Sequence, residues 1–245
     1  MTNCMTYTKQ VALVTGANKG IGFHTARELA QRGYVVWLGC RDEGRGAAAA
    51  KELAKSGDVR YVRLDVTDAE SVRAGAARIE GESGALDVLV NNAGIALPDD
   101  GPPSSLSVEA IQRCYDVNLH GALRVTQAFL PLLHKAKAGR IVNVSSTMGS
   151  LTVLSLPESP LARFPAFAYA SSKTALNALT AWLAIELKGT AIRVYSVCPG
   201  YNATDLNNNM GTQHPSEGAK VVVRAVAPDA GLSGTFFDVR GTVAY

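Results

Sequence analysis

The chain has 245 residues, of which 47% are hydrophobic, 18% charged and 7% aromatic, and its formal net charge is +3. That composition excludes a disordered chain, and the length supports a substantial core without disulfide or metal staples. The charge is too small and dispersed for a nucleic-acid-binding surface, and no apolar run reaches the ~18 residues of a membrane span. Cys4, Cys40, Cys114 and Cys198 show neither CxxC nor regular spacing and read as reduced thiols. No basic-then-apolar leader precedes the first strand-like run, so the expectation is a cytoplasmic globular protein.

In chain order, β-branched runs alternate with alanine-rich helical ones. Residues 11–14, 34–38, 59–64, 86–90, 140–144, 192–197 and 234–239 read as strands. Helical patterns fall near 21–32, 43–56, 68–83, 106–135, 167–188 and 216–227. Several strands are nearly continuous apolar runs, as expected where helices cover both sheet faces. The alternation predicts one α/β domain over 1–245, a doubly wound, Rossmann-type parallel sheet of about seven strands. Residues 98–105 are a loop by their turn chemistry, and 147–168, with Pro157, Pro160 and Pro165, break the rhythm.

The first strand runs into Thr15-Gly16-Ala17-Asn18-Lys19-Gly20-Ile21-Gly22, a G-x-x-x-G-x-G turn opening a helix. Glycines there permit close backbone approach and leave a helix N-terminus to receive a pyrophosphate. Asn91-Asn92-Ala93-Gly94, Tyr169-Ala170-Ser171-Ser172-Lys173 and Pro199-Gly200 follow in that order. Together these four motifs closely resemble the short-chain dehydrogenase/reductase family, over about 9–240, and Asn18-Lys19-Gly20-Ile21 with the ending around Pro215-Ser216-Glu217-Gly218 looks most like its NADP-dependent carbonyl reductases.

The resemblance implies a nicotinamide dinucleotide held by Gly16, Asn18, Lys19, Gly20, Ile21 and Gly22. Asp65 and Val66 would meet the adenine; Asn92, Ala93 and Gly94 would lie by the adenosine ribose, and Asn91 would bridge adjacent strands. NAD-binding versions carry a carboxylate where Cys40 stands here, and Arg41 follows it. Arg41 and Lys19, two cations without that carboxylate, favour NADP(H) over NAD(H) through its 2′-phosphate, although Asp42 could pair with Arg41. Pro199, Gly200 and Thr204 would close over the nicotinamide, and the polar run 202–214 suggests a mobile flap.

Tyr169 and Lys173 share one helix face at i, i+4. A cation beside a tyrosine favours the phenolate and draws its pKa toward the working range. The resemblance makes Tyr169 the acid–base and gives Lys173 the nicotinamide ribose. Asn118 would hold a relay water, and a serine would hydrogen-bond the substrate oxygen. The strand register favours Ser146 and leaves Ser145 as the alternative. No G-x-S-x-G elbow is present, and His24, His120, His134 and His214 match neither a nucleophile–base pattern nor metal-ligand spacing, so no metal is expected.

The expected function is therefore reversible NADPH-dependent reduction of a ketone or aldehyde. The alternative is an NADP(H)-sensing regulator, which would have no use for Asn118, Ser146, Tyr169 and Lys173 together. Residues 147–168 read as a substrate-side insertion whose leucines and phenylalanines predict an apolar substrate. The helix after it is apolar nearly all round, which leaves monomer and homo-oligomer equally open.

Overall fold

The computed structural model describes residues 9–245; Cys4 and the stretch where a leader would stand lie outside them. The elements run β1 (Val11–Thr15), α1 (Gly20–Gln31), β2 (Val35–Cys40), α2 (Glu43–Leu53), β3 (Val59–Arg63), α3 (Ala69–Ser83) and β4 (Val88–Asn91). The second half runs α4 (Val108–Tyr115), α5 (Ala122–Leu133), β5 (Arg140–Val144), α6 (Leu151–Leu154), α7 (Phe167–Glu186), β6 (Arg193–Val197), α8 (Pro215–Arg224) and β7 (Phe236–Phe237).

All seven strands are parallel, in the order β3-β2-β1-β4-β5-β6-β7. Period-two alternation sends neighbouring residues of one strand into two different cores, which is why the strands are apolar throughout. Val14, Leu38, Val142 and Tyr195 pack under Leu29 of α1, Leu53 of α2 and Val222 of α8. Leu13, Trp37, Leu89 and Ile141 pack under Ile79 of α3 and Phe129 of α5 on the other side. The chain steps outward from β1 to β3, then returns to place β4 against β1. At that reversal the crossovers leave in opposite directions and open a crevice at the strands' carboxyl ends.

Two elements differ from the sequence reading. The single helix expected over 106–135 is broken by a π-helical segment, Asp116–Gly121, between α4 and α5. The last strand is short because Asp238 folds the chain back, its side chain accepting from the Arg240 and Gly241 amides. Within 147–168 the chain makes only short helical turns, and Leu151, Leu154, Leu156 and Phe164 stay exposed. The start of α6 is tied to the C-terminal residues. Ser150 Oγ donates to the Ala244 carbonyl (2.6 Å), and Thr152 donates through N and Oγ1 to the Tyr245 carbonyl (3.0 and 2.6 Å).

On α7, Trp182 and Ile185 are 70% and 63% exposed, so the 147–168 segment does not cover that face. Cys40, Cys114 and Cys198 are buried free thiols. No helix among the described residues is long and apolar enough to cross a membrane, and none of their His, Cys, Asp or Glu side chains cluster as a metal site.

Candidate active site

The glycine turn is stitched to the end of β4. Asn92 Nδ2 donates to the Thr15 carbonyl (2.8 Å), and the Asn92 and Ala93 amides both donate to Thr15 Oγ1 (3.0 Å). Gly16 sits at φ +62°, and a Cβ there would lie 2.9 Å from Ala93 Cα, so a larger residue would push the two segments apart. Lys19, at the N-cap of α1, gives it no side-chain cap, and the first turn holds no acid, which leaves the helix N-terminus open to an anion.

Around this corner the expected cofactor residues assemble unevenly. Arg41 is exposed at the carboxyl end of β2, and Asp42, which could cancel it, caps α2 and pairs with Arg45 at 3.0 Å instead. Lys19 is exposed and ion-paired with Asp205, also exposed, in the loop after β6. Asp65 places both of its recorded side-chain bonds on Oδ1, from the Thr67 amide and hydroxyl (3.0 and 2.8 Å), while Asp68 caps α3. Val66 is buried against Gly121. Asn91 Nδ2 reaches Asn143 Oδ1 (2.9 Å) on β5, the strand bridge anticipated for it.

The polar groups converge beyond β4 and β5. Lys173 Nζ lies 5.6 Å from the Tyr169 ring centroid and donates to the Val144 carbonyl at 2.8 Å. A Cβ on Gly94 would sit 3.5 Å from that ammonium and 3.3 Å from Asn118 Oδ1, so the glycine packs directly against both side chains. The two serines are in different surroundings. Ser145 is buried with its hydroxyl toward the Lys173 carbonyl (3.5 Å), whereas Ser146 is half-buried, accepts from the Met148 amide (3.2 Å) and lies beside the Tyr169 phenol.

Asn118, in the π-helical segment, accepts from the Ile95 amide (2.8 Å) and donates to the Ile95 carbonyl and to Ser172 Oγ (both 2.9 Å). Those bonds use both amide hydrogens, so a relay water would have to be held by an oxygen of Asn118. The extra residue of a π turn is a common device at functional sites, and here it aims this amide across at Ile95.

Burial dominates the electrostatics. It pushes the Tyr169 phenol above its ordinary range; the Cys198 and Cys114 thiols add to this, and hydrogen bonding from Ser146 opposes it. Burial also lowers Lys173 to about 8. This direction is opposite to the one expected from the lysine charge, because desolvation disfavours the phenolate.

Two features were invisible to spacing arguments. Asp100, from the loop after β4, accepts from the Ala168 and Tyr169 amides (both 2.9 Å) at the start of α7. Tyr201 sets its ring 6.4 Å from that of Phe164, joining the 147–168 segment to the loop after β6. The root of that second loop is bonded through Asn202 and Asn207, while Asn208, Asn209 and Met210 are exposed. Asn202 is buried, donates to the Pro199 and Gly200 carbonyls (2.8 and 3.0 Å) and accepts from the Gly218 amide, while Asn207 holds both Asn202 and Thr204. Thr204 rests against Gly20. Asn202 and Asn207 thus add side-chain bonds to a loop whose ends are also joined by the backbone pairing of Ala203 and Tyr201 with Gln213.

Comparison with known proteins finds the same pattern. The family model for short chain dehydrogenases matches residues 10–215. The chain is 33% identical to (+)-neomenthol dehydrogenase of Capsicum annuum over 95% of its own length and 96% of that protein. It is 35% identical to salutaridine reductase of Papaver bracteatum, over 96% of each chain. Both alignments, of 304 and 299 residues, exceed the chain's 245, so these relatives carry residues that it lacks. Among solved structures, the NADPH-bound carbonyl reductase from chicken fatty liver superposes with a TM-score of 0.86 at 29% identity, covering 97% of this chain and 99% of that one.

Proposed function

Because the chain belongs to the short-chain dehydrogenase/reductase family, it is an oxidoreductase of carbonyl or alcohol groups, and we propose that it is an NADPH-dependent carbonyl reductase with Tyr169 as acid–base. The observation that carries this reading is the convergence of the Tyr169 phenol, the Lys173 ammonium and the Ser146 hydroxyl at the crevice end of β4 and β5, opposite the uncapped α1.

The residues at the crevice fit a dinucleotide. The α1 N-terminus would take the pyrophosphate, Arg41 the 2′-phosphate and the second oxygen of Asp65 the adenine amino group. Asn18, Ile21, Gly22, Asn92 and Gly94 would line its path; Pro199, Gly200 and Thr204 would meet the carboxamide. When bound, NADPH supplies the hydride to the carbonyl carbon. Ser146 donates a hydrogen bond to the carbonyl oxygen and so increases the positive character of that carbon. Tyr169 delivers the proton to the same oxygen. A phenol kept protonated by burial suits the reductive direction, in which it must arrive with its proton.

Lys173 holds the ribose hydroxyls and supplies positive charge as the proton leaves the phenol. The 147–168 segment, with Leu154, Leu156 and Phe164 exposed and Phe164 against Tyr201 of the loop after β6, favours apolar ketones and aldehydes. The four polar groups gathered here also weigh against a cofactor sensor without turnover, and the free thiols suit a reducing, cytoplasmic setting.

Tyr169→Phe tests the assignment. It keeps the ring and removes the proton donor, so turnover of a ketone panel, followed by NADPH absorbance, should nearly vanish while NADPH still binds. Retention of more than about a tenth of wild-type kcat, a barrier change below ~1.4 kcal/mol, would remove Tyr169 from that role.

A further inference from the structure

We propose that Asp100 is a positioning residue for the Tyr169 acid, a carboxylate lent by the loop after β4 to cap the helix that carries the phenol; this rests on the role assigned to Tyr169 above. The first amides of any α-helix have no carbonyl in their own helix to bond. The N-cap position of α7 is Ala166, which has no side-chain acceptor. The missing partners come instead from two consecutive loop residues far back in the chain. The Phe167 amide donates to the Gly101 carbonyl (3.1 Å), the Ala168 amide to Asp100 Oδ1 (2.9 Å) and the Tyr169 amide to Asp100 Oδ2 (2.9 Å).

One carboxylate therefore spans two successive amides, one of them belonging to Tyr169 itself. Its Oδ1 also accepts from the Gly101 amide (2.8 Å), which fixes its orientation. A carboxylate at this end of a helix is further favoured by the helix dipole.

The loop is anchored well enough to act as a clamp. Its first residues are held through Ile95, whose amide and carbonyl both bond Asn118, and Asp99 pairs with Arg113 of α4. Asn118 also donates to Ser172 Oγ (2.9 Å), and that hydroxyl donates to the Tyr169 carbonyl (2.7 Å). The peptide groups on both sides of Tyr169 are thus tied to one brace, its amide through Asp100 and its carbonyl through Ser172. Ser146 stands at the end of β5, a different element, so the phenol meets it only if the backbone of α7 stays in register. Errors of about an ångström in such a constellation cost up to ~100-fold in rate.

The experiment uses the full chain with NADPH and a ketone that the wild type reduces. Asp100→Ala is expected to lower kcat by between about ten- and a hundred-fold. Its NADPH affinity should stay within the error of titration, and the Ala168 and Tyr169 amides should exchange with solvent faster. Asp100→Asn, which keeps one of the two acceptor oxygens, should recover much of the lost kcat. An Asp100→Ala enzyme with wild-type kcat and unchanged exchange overturns the proposal, and so does a parallel fall of kcat and NADPH affinity, the mark of general unfolding. Should Asp100→Ala not fold, Asp100→Asn decides: an intermediate kcat with intact NADPH binding supports the clamp, and wild-type values on both counts overturn it. Failure of the functional reading looks different. In that event the wild type reduces no carbonyl, while amide exchange at residues 168 and 169 still reports whether Asp100 holds them.

Discussion

Lys173 is 4% exposed, and its burial has a consequence for stability that can be read against pH. In the folded protein it releases its proton near 8, whereas an unfolded lysine keeps it to 10.5. Between those values the unfolded state binds more protons, so this residue's contribution to stability rises with pH across that window. Below it, the folded chain bears the cost of a buried ammonium. Lys173→Met should therefore stabilise the fold at pH 7 by on the order of 2 kcal/mol, after the lost bond to the Val144 carbonyl is set against the gain. The gain should be gone by pH 10. Urea titrations at the two pH values check this, and equal effects at both would mean that the ammonium is not strained.

Arg41 offers a second test at the same scale. With Asp42 committed to Arg45, the guanidinium is available to a phosphate, and Arg41→Asp should weaken NADPH binding by about ten-fold or more. An unchanged dissociation constant would make Arg41 a bystander and leave Lys19 to account for any NADP preference.

Among the elements, the 147–168 segment and the loop after β6 meet through the rings of Phe164 and Tyr201. If the exposed leucines form the apolar wall, Leu154→Ser and Leu156→Ser should each raise KM for a bulky apolar ketone by a few-fold to about ten-fold and leave NADPH binding alone. Steady-state kinetics with a large and a small ketone separates this from a general defect, since only the large one should suffer.

These elements also mark where sequence reasoning ended. The strand at 140–144 and the glycine turn were legible because an apolar run and a spacing of glycines are local facts. The π-helical segment was not, because it answers to a bond between Asn118 and Ile95, 23 residues apart in the chain. Asp100 escaped notice for the same reason, as its partners lie 68 and 69 residues further on. The i, i+4 spacing placed Lys173 beside Tyr169 correctly, yet spacing carries no information about burial, and burial reversed the expected direction of the phenol's shift. Composition also gave no sign that Asn202 and Asn207, among the polar residues of the loop after β6, bond its backbone internally.

For the whole molecule, a row of buried polar groups runs beneath the crevice from one strand to the next. Asn91 Nδ2 meets Asn143 Oδ1 (2.9 Å), Asn143 Nδ2 meets Thr180 Oγ1 (2.8 Å), and Thr180 meets Ser196 Oγ (2.7 Å), joining β4, β5, α7 and β6. Asn143 is wholly buried at the centre of this row. Asn143→Ala would leave the Asn91 amide and the Thr180 hydroxyl each short of a partner, at roughly 2–4 kcal/mol in total, and chemical denaturation should show a loss of that order. A loss below ~1 kcal/mol would mean that neighbouring groups or water replace the bonds.

The bonds from Ser150 and Thr152 to the carbonyls of Ala244 and Tyr245 set an order of assembly. During synthesis β1, β2 and β3 have all their strand partners once β4 has emerged, long before residue 245 leaves the ribosome. The start of α6 does not: it waits more than ninety residues for the carbonyls that hold it. A nascent chain stalled short of those residues would thus carry the glycine turn and its neighbouring strands with the start of α6 still unpinned.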